Sequence, residues 1–457
     1  MMSIILKTIF YLLSALLIYV IVKRLTYNLL YRKQLGIIMS LVFLAHPYII
    51  FLIFSGLEQL ISISFFLCFV FCFIIIHLNK KLNENRLLIT CGIFLALTYL
   101  SRTDTIILLP FIFTLIFFLH NETFSRNLIA TVPFITGYLI IIVPWYLFIY
   151  LNTGNLTQDS GAVKMFLNEN ASLPLIERFL SSFQFVNKFW WPTLNNILKP
   201  LYILFWGFSF ILGLNLILNN IRVLKPYNIF NSLYKKNLNI ALHQKINIQV
   251  MGLCVYYIIA IAITYGFLFS SAREWYYGLS TIAFFFLFIC LFNLFIFSIK
   301  DRLLRTISIF IIALFSFFTL FNNVNNQELF LGKFTNQKEM LTVSKWMTLH
   351  LPKNAIIGSW NSGIFGFFSE KPVVNLDGLI NSDILDYLKS NNLYSYIEKR
   401  NINYIIDYSV MLYWNEKYLG KTIEEIPITL DTSFSGTWFL SDISVWRITK
   451  TTSNKIK

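Results

Sequence analysis

Apolar runs close to the length of a membrane span recur along this sequence from residue 4 to residue 321, most of them ended by a charge or a polar turn. An α-helix needs about 20 apolar residues to cross roughly 30 Å of hydrocarbon. In lipid, backbone groups have no water to bond, so only helices and closed barrels are stable there. Ten such runs fall at 4–22, 35–54, 59–78, 87–100, 106–120, 128–150, 200–219, 248–270, 276–298 and 303–321. The fourth and fifth are short and read as a tilted pair or a re-entrant hairpin that enters and leaves on one side. Charged residues make up only 13% of the 457, where a soluble domain averages about 25%. The expected fold class is a polytopic α-helical membrane protein. The first run is followed by no small-residue cleavage site and reads as a retained span.

Charge then sets the sides. Residues 1–330 carry 23 basic and 10 acidic residues, and the rest of the chain 14 and 12. The basic excess lies in alternate loops: Lys23, Arg24, Arg32 and Lys33; Lys80, Lys81 and Arg86; Arg126; Arg222 to Lys245; and Lys300, Arg302 and Arg305. Basic loops stay cytoplasmic. The opposite set, with the stretches "SGLEQ", "SRTD", "SAREWYY" and everything beyond residue 321, is therefore expected outside. Because the basic residues flank apolar runs instead of forming one face, no nucleic-acid partner is expected. The five cysteines all lie within apolar runs and form no CxxC pair, so neither a disulfide framework nor a zinc site is expected, while the need for a divalent metal stays open.

This arrangement puts Glu58, Arg102, Asp104, Lys164, Arg273 and Glu274 at helix ends or in loops of the outer face. Charges at bilayer depth are costly and often line a wet cavity with a function. The plain alternative is that each snorkels to the headgroup level. The outer loop 151–199 reads as polar at first, with a helix start near Ser160. Its stretch "FVNKFWWPTL" suits a helix lying in the interface as an anchor.

From residue 331 to 457 the character changes. "QKEMLTVSKWMTLHLP" has helical apolar spacing, and short apolar runs at 355–360, 372–376 and 403–408 alternate with helical stretches. That alternation predicts a small α/β domain with a parallel sheet, closed by a strand or hairpin in "GTWFLSDISVWRITK". Asp377-Gly378 is a turn signal, so Asn375 and Asp377 read as structural, and Asp407 is a weaker candidate still. The two domains are thus a helical membrane domain over 1–330 and an α/β domain over 331–457.

No P-loop, GxGxxG, HExxH or GxSxG is present, so a soluble nucleotide donor and any required cofactor are not indicated. Carboxylates and cations at an outer membrane interface have another use. A carboxylate can take the proton of an attacking hydroxyl. Arginine and lysine can hold a lipid phosphate and stabilise the charge that grows as it leaves.

The residues that carry this chemistry resemble a known family. "LAHPYIIFLIFSGLEQLISISFFL" ends a helix in S-G-x-E, and "ALTYLSRTDTIILLP" enters the next at R-x-acid. With "IIVPWYLFIYLNTGNLTQDSGAVK", "REWYYGLSTIAFFF" and "AIIGSWNSGIFGFFSEKPVVNLDGLINS", they are similar to the GT-C integral-membrane glycosyltransferases. The nearer likeness is to the bacterial protein-mannosyltransferase and aminoarabinose-transferase branch. The resemblance implies inverting transfer of a sugar from a polyprenyl-phosphate donor to a lipid, glycan or protein acceptor. It places the enzyme in the inner membrane, with the C-terminal domain periplasmic. It further implies Glu58 and Asp104 as catalytic carboxylates, and Arg102, Lys164 and Arg273 near the donor phosphate.

The family pattern also has a first helix and a long first external loop with an acidic pair. These 457 residues hold no acidic residue before Glu58, which is what a truncated start would give. Two other readings stay open: an inactive relative acting as an assembly subunit, and a transporter or flippase of lipid-linked glycans. The last predicts charges in the middle of spans, of which Lys7 is the one clear case.

Overall fold

The computed structural model describes residues 2–26, 31–54, 58–78, 84–117, 123–153, 163, 166, 174, 177, 231–267, 278–298 and 335–449. It divides into two compact units. One comprises Met1–Gly154 and Asn170–Gly332, the other Asn155–Glu169 and Lys333–Lys457.

The first unit is helical: α1 (Met2–Leu25), α2 (Arg32–Ala45), α3 (Pro47–Phe54), α4 (Gln59–Leu78), α5 (Glu84–Ser101), α6 (Leu109–Phe117), α7 (Phe124–Thr153), α8 (Asn231–Phe267) and α9 (Gly278–Ser298). Among the described residues, four helices are long and apolar enough to cross a membrane: Ile4–Leu25, Gln59–Leu78, Phe124–Asn152 and Leu242–Tyr265. Thr103–Phe117 and Gly278–Asn293 are shorter apolar helices. The runs expected at 200–219 and 303–321, and the interfacial helix at 185–194, lie outside the described residues.

Local chemistry explains several departures from the expected runs. The run 35–54 is broken at His46, which adopts an extended ψ of 120° before Pro47. A residue preceding proline avoids the helical region, and proline is well placed at the first position of the new helix. The pair expected at 87–100 and 106–120 is α5 and α6, joined by a 3-10 turn over Thr103–Leu108. Helix α8 starts well before the expected residue 248, because "NSLYKKNLNIALHQKINIQ" is polar yet still helical.

Small residues set the closest packing. A Cβ on Gly92 of α5 would sit 2.1 Å from the Phe134 carbonyl oxygen of α7, and one on Gly137 of α7 2.1 Å from that of Ile89. The two backbones touch at this crossing, as small residues allow in membrane bundles. Helices α1 and α4 meet through Ser14 and Ser64, whose hydroxyls are 2.7 Å apart. At the far end of α1, Thr26 donates to Asn293 Oδ1 (3.1 Å), Asn293 Nδ2 to Asn247 Oδ1 (3.3 Å), and Asn247 Nδ2 to the Leu25 carbonyl (3.1 Å). This buried neutral chain ties α1, α8 and α9 together.

The second unit is a five-stranded sheet with helices on both faces. Its strands are β1 (Ile357–Ser359), β2 (Val373–Asn375), β3 (Tyr404–Tyr408), β4 (Ile428–Phe434) and β5 (Ile443–Ile448), in the order β2-β1-β3-β5-β4. The three strands expected from the apolar runs are present and parallel, but the sheet is mixed. Strands β3 and β5 pair antiparallel, as do β4 and β5. The missed strand is β4, whose "ITLDTSF" is largely polar because it forms the solvated edge of the sheet. Strand β3 is buried throughout, so it reads as a continuous apolar run. One face packs α10 (Thr335–His350) through Val343 and Met347; the other packs Trp360, Leu376, Leu393 and Tyr396. Two residues of the 151–199 segment join this unit: Val163 is fully buried, and Phe166 stacks obliquely on Tyr418 at 5.9 Å.

Candidate functional site

The helical unit gathers three of the five expected site residues at one end of its bundle. Glu58 immediately precedes α4, and its carbonyl accepts from Ile61 and Ser62, forming the first turn. Arg102 follows α5 in an extended conformation (φ −151°, ψ 105°) that ends the helix and starts the 3-10 turn. Its amide bonds back to Thr98 and Tyr99, and its carbonyl accepts from Thr105, so its backbone is fixed on both sides. This bend lets the guanidinium fold back on Asp104, two residues along.

The result is a bidentate pair. Arg102 Nε donates to Asp104 Oδ1 at 3.2 Å and Nη2 to Oδ2 at 2.5 Å. The remaining edge of the guanidinium turns to Glu58, with Nη1 3.2 Å from Oε1. Such planar forks combine strength with directional control. A further group arrives from α8: the Tyr265 hydroxyl donates to Asp104 Oδ2 at 2.6 Å.

The two carboxylates differ in what is left to them. Both Asp104 oxygens accept hydrogen bonds, and its side chain is 11% exposed. Glu58 spends one oxygen on Arg102 and is 45% exposed. Its second oxygen accepts nothing among the described residues. The arrangement therefore offers one oriented, solvent-reachable carboxylate held by a largely covered cation, 11% exposed. Beside it, Gln59 packs so tightly on Gly278 that a Cβ at 278 would lie 2.5 Å from Gln59 Oε1.

Lys164 and Arg273, with Glu274, lie outside the described residues. Tyr265 was not anticipated from the sequence. A tyrosine near the end of a span is ordinary for a membrane interface, so nothing in "AITYGF" marks it as a partner of Asp104. Among the described residues no cluster of three or more histidine, cysteine or acidic side chains could hold a metal ion.

The C-terminal unit has its own carboxylate centre. Asp407 at the end of β3 is fully buried. Its Oδ2 accepts from the Ser359 hydroxyl and the Asn361 amide, both at 2.8 Å. Its Oδ1 accepts from Asn361 Nδ2 (2.7 Å) and the Tyr408 amide (2.8 Å). Burial pushes the carboxyl above its ordinary value, and the donors from Asn361, Ser359 and Tyr408 only partly pull it back. Nearby, Asn375 accepts from Gly378 N at 2.9 Å and Asp377 from Leu379 N at 2.8 Å. With Gly378 at φ +76°, these are turn-forming bonds, in keeping with the structural reading of both residues.

Of the comparisons with known proteins, the solved structures bear on architecture. A family profile described as "Domain of unknown function (DUF8728)" matches residues 328–452. No curated protein matches the sequence. Among solved structures, ArnT from Cupriavidus metallidurans bound to undecaprenyl phosphate superposes with a TM-score of 0.51, over 98% of this chain and 84% of that one, at 8% identity. The same protein in its apo state gives 0.50 at 10% identity, over 97% and 83%. The chain therefore has a fold similar to that of ArnT.

Proposed function

We propose that this chain transfers a sugar from a polyprenyl-phosphate donor to a hydroxyl-bearing acceptor on the non-cytoplasmic face of the inner membrane. The observation that carries the reading is the Glu58–Arg102–Asp104 arrangement. One carboxylate is oriented by a largely covered arginine, left partly open, and placed at the mouth of an apolar bundle. A solved protein of the same fold holds undecaprenyl phosphate, which supports a lipid-phosphate partner.

In this mechanism Glu58 takes the proton from the acceptor hydroxyl. The acceptor oxygen bonds to the anomeric carbon of the sugar, and the bond from that carbon to the phosphate oxygen breaks. Its electron pair leaves with the polyprenyl phosphate, and the configuration inverts. Arg102 is already flanked by two carboxylates, so its first task here is to hold Glu58 in position while Asp104 and Tyr265 hold Arg102. The phosphate charge then falls mainly to Lys164 and Arg273. The ten-span topology, with the C-terminal unit periplasmic, belongs to the same proposal.

The test is transfer of radiolabelled sugar from undecaprenyl-phosphate donors in membranes containing the full chain. Turnover that requires Glu58 supports the reading. No transfer from any lipid-phosphate sugar, by a well-folded protein, overturns it in favour of a non-catalytic relative.

A further inference from the structure

We propose that Lys7 on α1 is a phosphate-binding residue, its ammonium receiving the phosphate of a polyprenyl-phosphate lipid at the same end of the bundle as Glu58; this rests on the lipid-phosphate reading above. Lys7 lies inside the span Ile4–Leu25 and is 5% exposed. Its neighbours Ile5, Leu6 and Ile9 are exposed, so the lysine points into the protein while the apolar side chains around it face outward. A lysine snorkelling along the lipid face would instead leave its stem exposed among those apolar side chains.

The height of Lys7 follows from helix geometry. Helices α1 and α4 are fastened at Ser14 and Ser64, where Ser64 also donates to the Phe10 carbonyl at 3.0 Å. Lys7 comes seven residues before Ser14 and Glu58 six before Ser64, each about two turns or 10 Å back along its helix. The spacing of seven also puts Lys7 on the same face as Ser14, toward α4. Glu58 is the charged group that acts on Lys7 electrostatically. Yet no carboxylate among the described residues comes within 4.0 Å of the amine, and none accepts a hydrogen bond from it.

A lysine held 5% exposed inside an apolar bundle, with an ammonium that makes no hydrogen bond among the described residues, is a costly feature with an obvious use. Arg102 at this end is bonded to both of its carboxylates; Lys7 still has its donors. An ammonium is a compact point charge suited to a phosphate oxygen. Lys7 is thus placed to take the phosphate of the donor and to keep that charge near Glu58, where the leaving oxygen must be stabilised.

The test uses the purified full chain in nanodiscs, with Lys7→Met and Lys7→Arg. The probes are undecaprenyl phosphate, uncharged undecaprenol and inorganic phosphate. We expect Lys7→Met to weaken undecaprenyl phosphate about tenfold or more, the loss of a charge-assisted hydrogen bond, and to leave undecaprenol unchanged. Lys7→Arg should restore the affinity. Because the amine is unbonded without ligand, ligand-free Lys7→Met should melt no lower than the wild type. Equal binding of undecaprenyl phosphate by wild type and Lys7→Met overturns the Lys7 proposal and leaves the donor reading standing. A wild type that binds inorganic phosphate through Lys7, but not the lipid, supports the site and overturns the donor. A wild type that binds neither phosphate overturns both. A lower melting temperature for ligand-free Lys7→Met shows a structural lysine and also overturns the proposal.

Discussion

Asp407 and Glu58 are both carboxylates beside the end of a secondary-structure element, one in the sheet unit and one in the membrane unit, and they are satisfied in opposite ways. Asp407 is sealed from solvent and accepts four hydrogen bonds, all from neutral donors of its own unit. Glu58 has one charged partner, a second oxygen that accepts nothing among the described residues, and a side chain 45% exposed. A carboxylate with every lone pair occupied closes a structure. One held by a single fixed cation and open on its other side is available for a proton. The contrast explains why the buried acid, though its carboxyl is raised, is the weaker candidate for catalysis.

The largest expected effect tests the open side of that contrast. Glu58→Gln keeps the shape and an acceptor for Arg102 but removes the base. Positioned general bases contribute about 10²–10⁴-fold, so transfer should fall by at least about 100-fold, with the melting temperature nearly unchanged. If transfer survives within a few-fold, Glu58 is an anchor for Arg102 and the base lies elsewhere.

The closed side predicts a stability effect instead. In Asp407→Asn, whichever way the amide turns, its NH2 group meets a backbone N–H: that of Tyr408 on one side, that of Asn361 on the other. A buried donor left facing a donor costs about 1–3 kcal/mol, so the sheet unit should lose roughly 2–3 kcal/mol in denaturant unfolding. A loss under about 1 kcal/mol would sharpen the comparison, since it would mean that Asp407 is already protonated and serves as a donor to Ser359.

The same contrast governs what could be read from the sequence. Runs of apolar residues announce spans because lipid leaves the backbone no alternative to a helix, and "NYIIDY" announces β3 because both of its faces are covered. Glu58, Arg102 and Asp104 were legible for a related reason: a charge at the edge of a hydrophobic run is rare enough to notice. Tyr265 was not, because an interfacial tyrosine needs no special cause, and only the fold brings α8 against the turn after α5. Strand β4 was hidden by its edge position, where polar residues serve as well as apolar ones. The break at His46-Pro47 was written in the sequence but masked by the hydrophobicity on both sides of it.

Tyr265→Phe probes the support beneath the open carboxylate. It removes the 2.6 Å hydrogen bond to Asp104 and leaves the Arg102 fork intact. A hydrogen bond to a charged group contributes about 1.5–3 kcal/mol, and burial of the hydroxyl puts the expected loss of stability near the lower figure. Transfer should fall far less than in Glu58→Gln, because the base itself is untouched. A loss of transfer as deep as that of Glu58→Gln would make Tyr265 part of the chemistry rather than of its scaffold.

The smallest effect concerns a third acid, Glu339 of α10, which stands between the two cases. Burial raises its carboxyl, but the Thr437 hydroxyl at 2.7 Å, the Thr437 amide at 3.1 Å and the Tyr408 hydroxyl at 2.9 Å outweigh burial and hold it below the usual glutamate value of 4.5. An acid with a lowered folded pKa contributes stability that is present above its unfolded value and lost as pH falls through the folded one. Asp407 works in the other direction: its carboxyl is raised above 3.8, so its contribution is full below that pH and is lost as pH climbs through the folded pKa. Glu339→Gln should therefore flatten the acid limb of the sheet unit's stability curve below about pH 4.5, with little change at pH 7 beyond the weakened bonds. An acid limb unchanged by Glu339→Gln would transfer that pH dependence to other acids. It would also mean that the link from Asp407 through Tyr408 to Glu339 is held by shape and neutral hydrogen bonds alone.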